Sequence, residues 1–166
     1  MKTFSLKTQE VVPVPLEEVF AFFSNPENLR ELTPVNLGFS ILTPGNIVMA
    51  CGAVIDYRIR VGGFPVRWRT VISEYDPPRR FVDVQGRGPY SYWKHTHTFT
   101  ALPEGTLIED DVEYALPLGI FGQIVRHLFV RRQLEKIFSF RSQTIHRLFS
   151  GKVVSSRTKI PAGSEA

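Results

Sequence analysis

From Gly38 to Leu116 the chain alternates apolar and polar residues with a period of two, broken only by short clusters of turn-forming residues. That pattern confines most of it to half-buried strands. Candidate strands are 38–43, 52–61, 65–75, 80–86, 90–102 and 105–116. Gly62-Gly63, Asp76-Pro77-Pro78, Gly86-Arg87-Gly88-Pro89 and Pro103-Glu104-Gly105 separate the later ones. Connections this short join neighbours, so the strands are expected to form a consecutive antiparallel meander.

The flanking segments change period. Phe4, Leu6, Thr8, Glu10 and Val12 mark a first strand, which Pro13-Val14-Pro15 ends. Leu16–Phe23 then reads as a short helix, and Asn25-Pro26 starts a second that runs to Leu32. After Pro117-Leu118-Gly119 a long helix is expected over about 121–149. At about 100° per residue, Val130, Leu134, Ile137, Phe138, Ile145 and Leu148 fall on one stripe. Residues 121–129 are apolar on a rotated face, and 151–166 are polar without periodicity. The reading is one domain over 1–150 followed by a flexible tail over 151–166.

A domain of 166 residues buries enough surface to need no disulfide or metal for stability. Cys51 is the only cysteine, which excludes an intramolecular disulfide and a cysteine-rich zinc site. No apolar run reaches the ~18–20 residues of a membrane span. Met1-Lys2-Thr3-Phe4-Ser5 leads into alternating residues instead of the apolar core of a signal peptide, so a cytoplasmic location is expected.

Val14-Pro15-Leu16-Glu17-Glu18-Val19-Phe20 and Asn25-Pro26-Glu27-Asn28-Leu29, in this order of elements, resemble the START/Bet v 1/polyketide-cyclase superfamily, often called SRPBCC. Gly88-Pro89-Tyr90 with Trp93, His95, His97 and Phe99 is similar to a subgroup of small bacterial ligand-binding members. Tyr114-Ala115-Leu116-Pro117-Leu118-Gly119 and Phe138-Ser139-Phe140-Arg141 fit the same subgroup. The resemblance covers about 3–149. It implies the α+β helix-grip fold, a curved antiparallel sheet of about seven strands wrapped around a long C-terminal helix, with two short helices between strands 1 and 2. It also implies a cavity between sheet and helix. Similar domains occur fused to epimerase-like short-chain dehydrogenase domains, which makes a dehydrogenase-like partner in trans one implied possibility.

Trp93, His95, His97 and Phe99 occupy alternate positions and so share a face, which the two aromatics mark as the inner one. With Pro103-Glu104 at a hairpin tip, the facing pairs are Phe99/Ile108, His97/Asp110, His95/Val112 and Trp93/Tyr114. A carboxylate opposite an imidazole favours the charged ring and fixes its tautomer. The pair reads either as a self-satisfied polar cluster or as a ligand contact. Tyr57 and Trp68 belong to the inner sets of their strands. Phe81, Asp83 and Gln85 would add a polar wall if that set faces inward. Arg141 falls within the apolar stripe of the helix beside Phe138, where an unpaired guanidinium would cost several kcal/mol to desolvate. Asp110, Asp83 or an anionic ligand group would pair with it. The expected ligand-contacting residues are therefore Tyr57, Trp68, Phe81, Asp83, Trp93, His95, His97, Asp110, Tyr114, Phe138 and Arg141.

No catalytic residue, cofactor or metal site is assigned. A metal held by His95, His97 and Asp110 needs a strongly curled sheet, because side chains two apart on a strand sit ~6.6 Å apart at the backbone. Gly86-Arg87-Gly88-Pro89 lacks the spacing of a phosphate loop, and Cys51 carries no signature of activation.

Charge separates the remaining functions. Residues 1–120 hold 11 Lys/Arg against 14 Asp/Glu, and residues 121–166 hold 9 against 2. Arg132, Lys136 and Arg147 lie opposite the apolar stripe, and Lys152, Arg157 and Lys159 lie in the tail. That arrangement is a solvated helix back, not a base-reading surface, so no specific nucleic-acid partner is expected. The expected function is binding of a small hydrophobic or amphipathic ligand. The alternative is a cyclase/dehydratase-like enzyme acting on a polyketide-like or aromatic substrate.

Overall fold

The computed structural model describes residues 2–117 and 129–150. Its strands are β1 (Phe4–Val12), β2 (Ser40–Ile41), β3 (Val54–Val61), β4 (Phe64–Asp76), β5 (Arg80–Arg87), β6 (Tyr92–Leu102) and β7 (Gly105–Ala115). They form one antiparallel sheet in the order β1-β7-β6-β5-β4-β3-β2. Helix α1 covers Leu16–Phe23, and helix α2 covers Arg131–Phe149. The sheet, the C-terminal helix and the helical insertion between the first two strands are those of the helix-grip α+β fold. The expected helix start at 121 and the tail over 151–166 lie outside the described residues.

Local sequence accounts for these boundaries. Pro15 precedes α1, and Glu17 and Glu18 sit in its first turn, where the helix dipole favours negative charge. The second helix is a 3-10 helix over Pro26–Arg30, shorter than the expected 26–32, with Asn25 accepting the Glu27 backbone N–H at 3.1 Å. The strand expected over 38–43 keeps only two residues. Pro44 follows closely, and the N–H groups of Leu42 and Thr43 both turn onto the Asp56 carbonyl. Gly62 and Gly63, with φ of 59° and 87°, supply the left-handed pair that a two-residue β3–β4 hairpin requires. Gly105 (φ 144°) opens β7 against the end of β1, and a Cβ there would lie 2.0 Å from the Val12 carbonyl oxygen.

The core has two parts. Val12, Val14, Val19, Phe20, Phe23, Phe81, Phe99, Ile108, Ile145 and Phe149 pack α1 and the end of α2 onto the sheet. Val112, Tyr114, Leu134 and Phe138 form a second cluster near the start of α2. Further ties hold α2 to β1, where the half-buried Glu10 carboxylate accepts from Ser142 Oγ at 3.1 Å and meets His146 Nε2 at 3.3 Å. Burial pushes the Glu10 carboxyl above its usual range. Helix α2 thus lies directly over β1, β6 and β7. A cavity separates it from β3 and β4. No described helix is long and apolar enough to cross a membrane.

Candidate functional site: a polar relay on the wall of an apolar cavity

The cavity has a volume of about 200 Å³ and is walled by the inner faces of β3 to β6, by α2 and by the segment between α1 and β3. Alternation along each strand puts its lining in place. Ile55, Tyr57, Ile59 and Val61 come from β3, and Trp68, Thr70 and Ile72 from β4. Tyr57 stacks on Trp68 with centroids 6.0 Å apart, Trp68 meets Trp93 edge-on at 5.2 Å, and Tyr90 lies 4.9 Å from Trp93. The Tyr57 hydroxyl lies 3.4 Å from Thr70 Oγ1, and burial raises the phenol above its usual range. Trp68 Nε1 is buried and has no hydrogen-bond partner among the described residues.

The open orientation of β5 is resolved. Asp83 pairs across the sheet with Ile72 and His95, and it faces inward with Phe81 on the cavity wall. Gln85 instead holds the β5–β6 turn, donating to the Tyr90 carbonyl at 2.8 Å and accepting its N–H at 3.2 Å.

Registers on β6 and β7 match the expected facing pairs, with Trp93 opposite Tyr114, His95 opposite Val112, His97 opposite Asp110 and Phe99 opposite Ile108. The two histidines on β6 therefore lie between Asp83 on one neighbouring strand and Asp110 on the other. Asp110 Oδ1 lies 2.9 Å from His95 Nε2, 2.8 Å from His97 Nδ1 and 3.2 Å from the Arg141 guanidinium. On the other side, Asp83 Oδ2 lies 3.1 Å from His97 Nε2 and 3.7 Å from His95 Nδ1. Arg141 also comes within 3.3 Å of His97 Nδ1. His97 Nε2 is hydrogen-bonded to Asp83, so in the neutral ring Nδ1 is the acceptor that faces the guanidinium.

Arg141 is 7% exposed, Asp110 3%, His95 7% and His97 4%. Burial at this depth would raise a carboxyl, yet Arg141 and the two histidines hold Asp110 well below the usual carboxylate range. Burial and the neighbouring ring lower His95. His97 is pushed up, because the carboxylates of Asp110 and Asp83 outweigh its desolvation. The Arg141 guanidinium also lies 5.0 Å from the Phe23 ring centre and 5.9 Å from that of Phe138, and its Nε has no partner among the described residues.

Of the residues selected from sequence, Tyr57, Trp68, Phe81, Asp83, Trp93, His95, His97, Phe138 and Arg141 meet along the cavity wall. Asp110 and Tyr114 do not reach it. Asp110 sits behind the histidines, and Tyr114 is packed in the core with Val112 and Leu134. Sequence reasoning missed Phe22 and Phe23 at the end of α1, and Leu29, Leu32, Leu37, Phe39 and Met49 from the segment between α1 and β3, which close the cavity. Only the adjacent phenylalanines and the i, i+3 spacing of Leu29 and Leu32 signalled them.

Comparison with known proteins supplies the family. The model of the polyketide cyclase/dehydrase and lipid transport family matches residues 3–148. The chain belongs to this family. Among solved structures, this family member is similar to TTHA0849 from Thermus thermophilus, at 18% identity and TM-score 0.70 over 89% of this chain and 98% of that one. It is also similar to CV1439 from Chromobacterium violaceum, at 15% identity and TM-score 0.68 over 88% and 97% of the two chains. Ginseng major latex-like protein 151 from Panax ginseng has TM-score 0.66 at 12% identity over 89% and 97%. These likenesses show the fold. No curated protein matches the chain. The polar cluster on the cavity wall joins Arg141, Asp110, His95, His97 and Asp83. It offers a guanidinium to an anion, an imidazole that can take or give a proton, and nitrogen and oxygen lone pairs to a cation.

Proposed function

We propose that the protein binds a small amphipathic molecule between the sheet and α2, with an apolar body and one end that accepts hydrogen bonds or carries negative charge. One observation carries this reading. The cavity is lined mostly by aromatic and aliphatic side chains, yet two buried donors on its wall, Trp68 Nε1 and Arg141 Nε, have no partner among the described residues. A buried donor left unpaired costs about 1–3 kcal/mol, which a ligand acceptor would recover. Apolar pockets with a few placed polar groups are the general form of small-molecule sites. A cavity of about 150 Å³ already holds a benzene ring, so the volume suits a compact aromatic or short aliphatic body.

Trp68 and Trp93 are the only tryptophans, and both line the cavity. Intrinsic fluorescence therefore reports occupancy without a label. Native mass spectrometry of the full chain purified under non-denaturing conditions is expected to show a bound small molecule. Returning that molecule to extracted protein should shift the tryptophan emission. Trp68→Phe keeps the ring and removes the donor, and it should weaken binding about threefold to tenfold, with Trp93 still reporting. The reading fails if no molecule co-purifies and no probe from a panel of fatty acids and aromatic acids changes the emission.

A further inference from the structure

We propose that His95 Nδ1, His97 Nε2 and the Asp83 carboxylate form a binding site for a divalent first-row transition-metal ion at the polar end of the cavity. The site goes beyond small-molecule binding and stands without it, because every donor in it belongs to this chain.

His95 Nε2 is hydrogen-bonded to Asp110 Oδ1 at 2.9 Å, so this nitrogen carries the hydrogen of His95. A neutral imidazole has one N–H and one lone pair. Asp110 thereby leaves the lone pair of His95 on Nδ1, 3.7 Å from Asp83 Oδ2, while His97 Nε2 is hydrogen-bonded to the same oxygen at 3.1 Å, where a metal ion would replace the shared proton. One ligand atom from each of Asp83, His95 and His97 lies within 4.8 Å of the other two.

Distances suit a metal ion. A cation about 2.1 Å from each of its ligands, in tetrahedral geometry, separates them by about 3.4 Å. The observed separations from Asp83 Oδ2, 3.1 Å to His97 and 3.7 Å to His95, fall on either side of that value. Strand spacing does not prevent this, because the two rings lean together to a centroid distance of 3.8 Å. Phe81 stacks on His97 at 4.2 Å and fixes the outer ring.

The surroundings have the form of a metal site. Histidines that bind metals give their other N–H to a carboxylate, which sets the tautomer and raises ligand basicity. Asp110 fills that place for His95, and Arg141 holds Asp110. Two carboxylates against one guanidinium leave one positive charge to be supplied, by a proton on His97 or by a metal ion that replaces it. Two imidazoles and one carboxylate suit zinc, iron, nickel or copper better than magnesium or calcium. All three ligands line the cavity, so the unused coordination positions face it.

The test uses the full chain stripped with a chelator and titrated with Zn2+ against a chromophoric competitor, then with Co2+ followed by visible absorption. One equivalent of each ion is expected to bind, with Co2+ bands of low-symmetry coordination. Asp83→Asn preserves shape at the cavity wall and should weaken Zn2+ binding at least about tenfold, the scale on which even outer-shell partners act. His97→Gln serves the same purpose if Asp83→Asn does not fold. His146→Gln and Cys51→Ser remove an exposed histidine near Glu10 and an exposed thiol, and both should leave binding unchanged. Absence of stoichiometric binding by folded wild type overturns the proposal. So does unchanged affinity in a folded Asp83→Asn or His97→Gln, or loss of binding in His146→Gln or Cys51→Ser. Nitrogen-15 imidazole spectra at saturating Zn2+ decide between ion and proton, and hydrogens on both nitrogens of His97 would overturn the site.

Discussion

Asp110→Ala is expected to destabilise the protein by about 3–5 kcal/mol, the cost of leaving a buried charge without its partner. The mutation strands Arg141, which is buried, cannot lose its proton, and keeps only the His97 ring and the Phe23 and Phe138 faces near its guanidinium. It also releases both histidines from the oxygen that orients them. Arg141→Met should cost clearly less. Asp110 then retains two imidazole neighbours, and an imidazole can take up the proton that restores neutrality. Methionine moreover fills most of the guanidinium stem's volume against Phe23 and Phe138. Urea unfolding of the two variants, compared at equal m-value, measures the asymmetry. Equal losses, or a larger loss for Arg141→Met, would refute the account of Asp110 as the organising charge.

Phe99→Ala should cost about 3–5 kcal/mol by a separate route, the cavity left in a close-packed cluster. Phe99 is 1% exposed and meets Phe20, Phe23 and Phe81 at centroid distances of 5.5, 5.2 and 6.0 Å. Its ring is where α1 is pinned to the sheet, so the variant should loosen the helix as well as lower the unfolding midpoint. Loss comparable to the whole stability of a small domain, about 5–15 kcal/mol, is within reach of combining it with Asp110→Ala. Thermal unfolding followed by near-ultraviolet circular dichroism reads both effects. A change below about 1 kcal/mol would show that the cluster refills the space, contrary to the packing described.

How much of this was legible in the sequence follows from what each signal encodes. The β6–β7 register was, because one hairpin tip at Pro103-Glu104 and a period of two fix every facing pair from Trp93/Tyr114 to Phe99/Ile108. The inward turn of Arg141 followed from helical phase alone. Asp83 was undecidable because β5 is apolar on both faces, Val82 being as buried as Phe81. A register shift between Ile72 and Glu74 further decouples β5 from β4. Periodicity assigns a face but not a distance from the helix, which is why Asp110 and Tyr114 have the expected face and still miss the cavity. Met49 was invisible for the opposite reason, since it lies in irregular chain with no period to read, and Phe39 falls in the strand expected over 38–43 but just ahead of the two residues that form it.

The uneven seating of α2 has a dynamic consequence. Strands β1, β6 and β7 are clamped by the helix, whereas β3 and β4 are tied to the body through β5 and through side chains across the cavity. Proteins open in cooperative units whose cost follows how much apolar contact each unit must break. Amides of the β2–β4 wing should therefore exchange with solvent through a partial opening, at lower protection than those of β6 and β7. A molecule filling the gap would bridge wing and helix and slow exchange in the wing selectively, since it stabilises only the closed form. The space that admits a ligand is thus also the hinge line along which the sheet breathes.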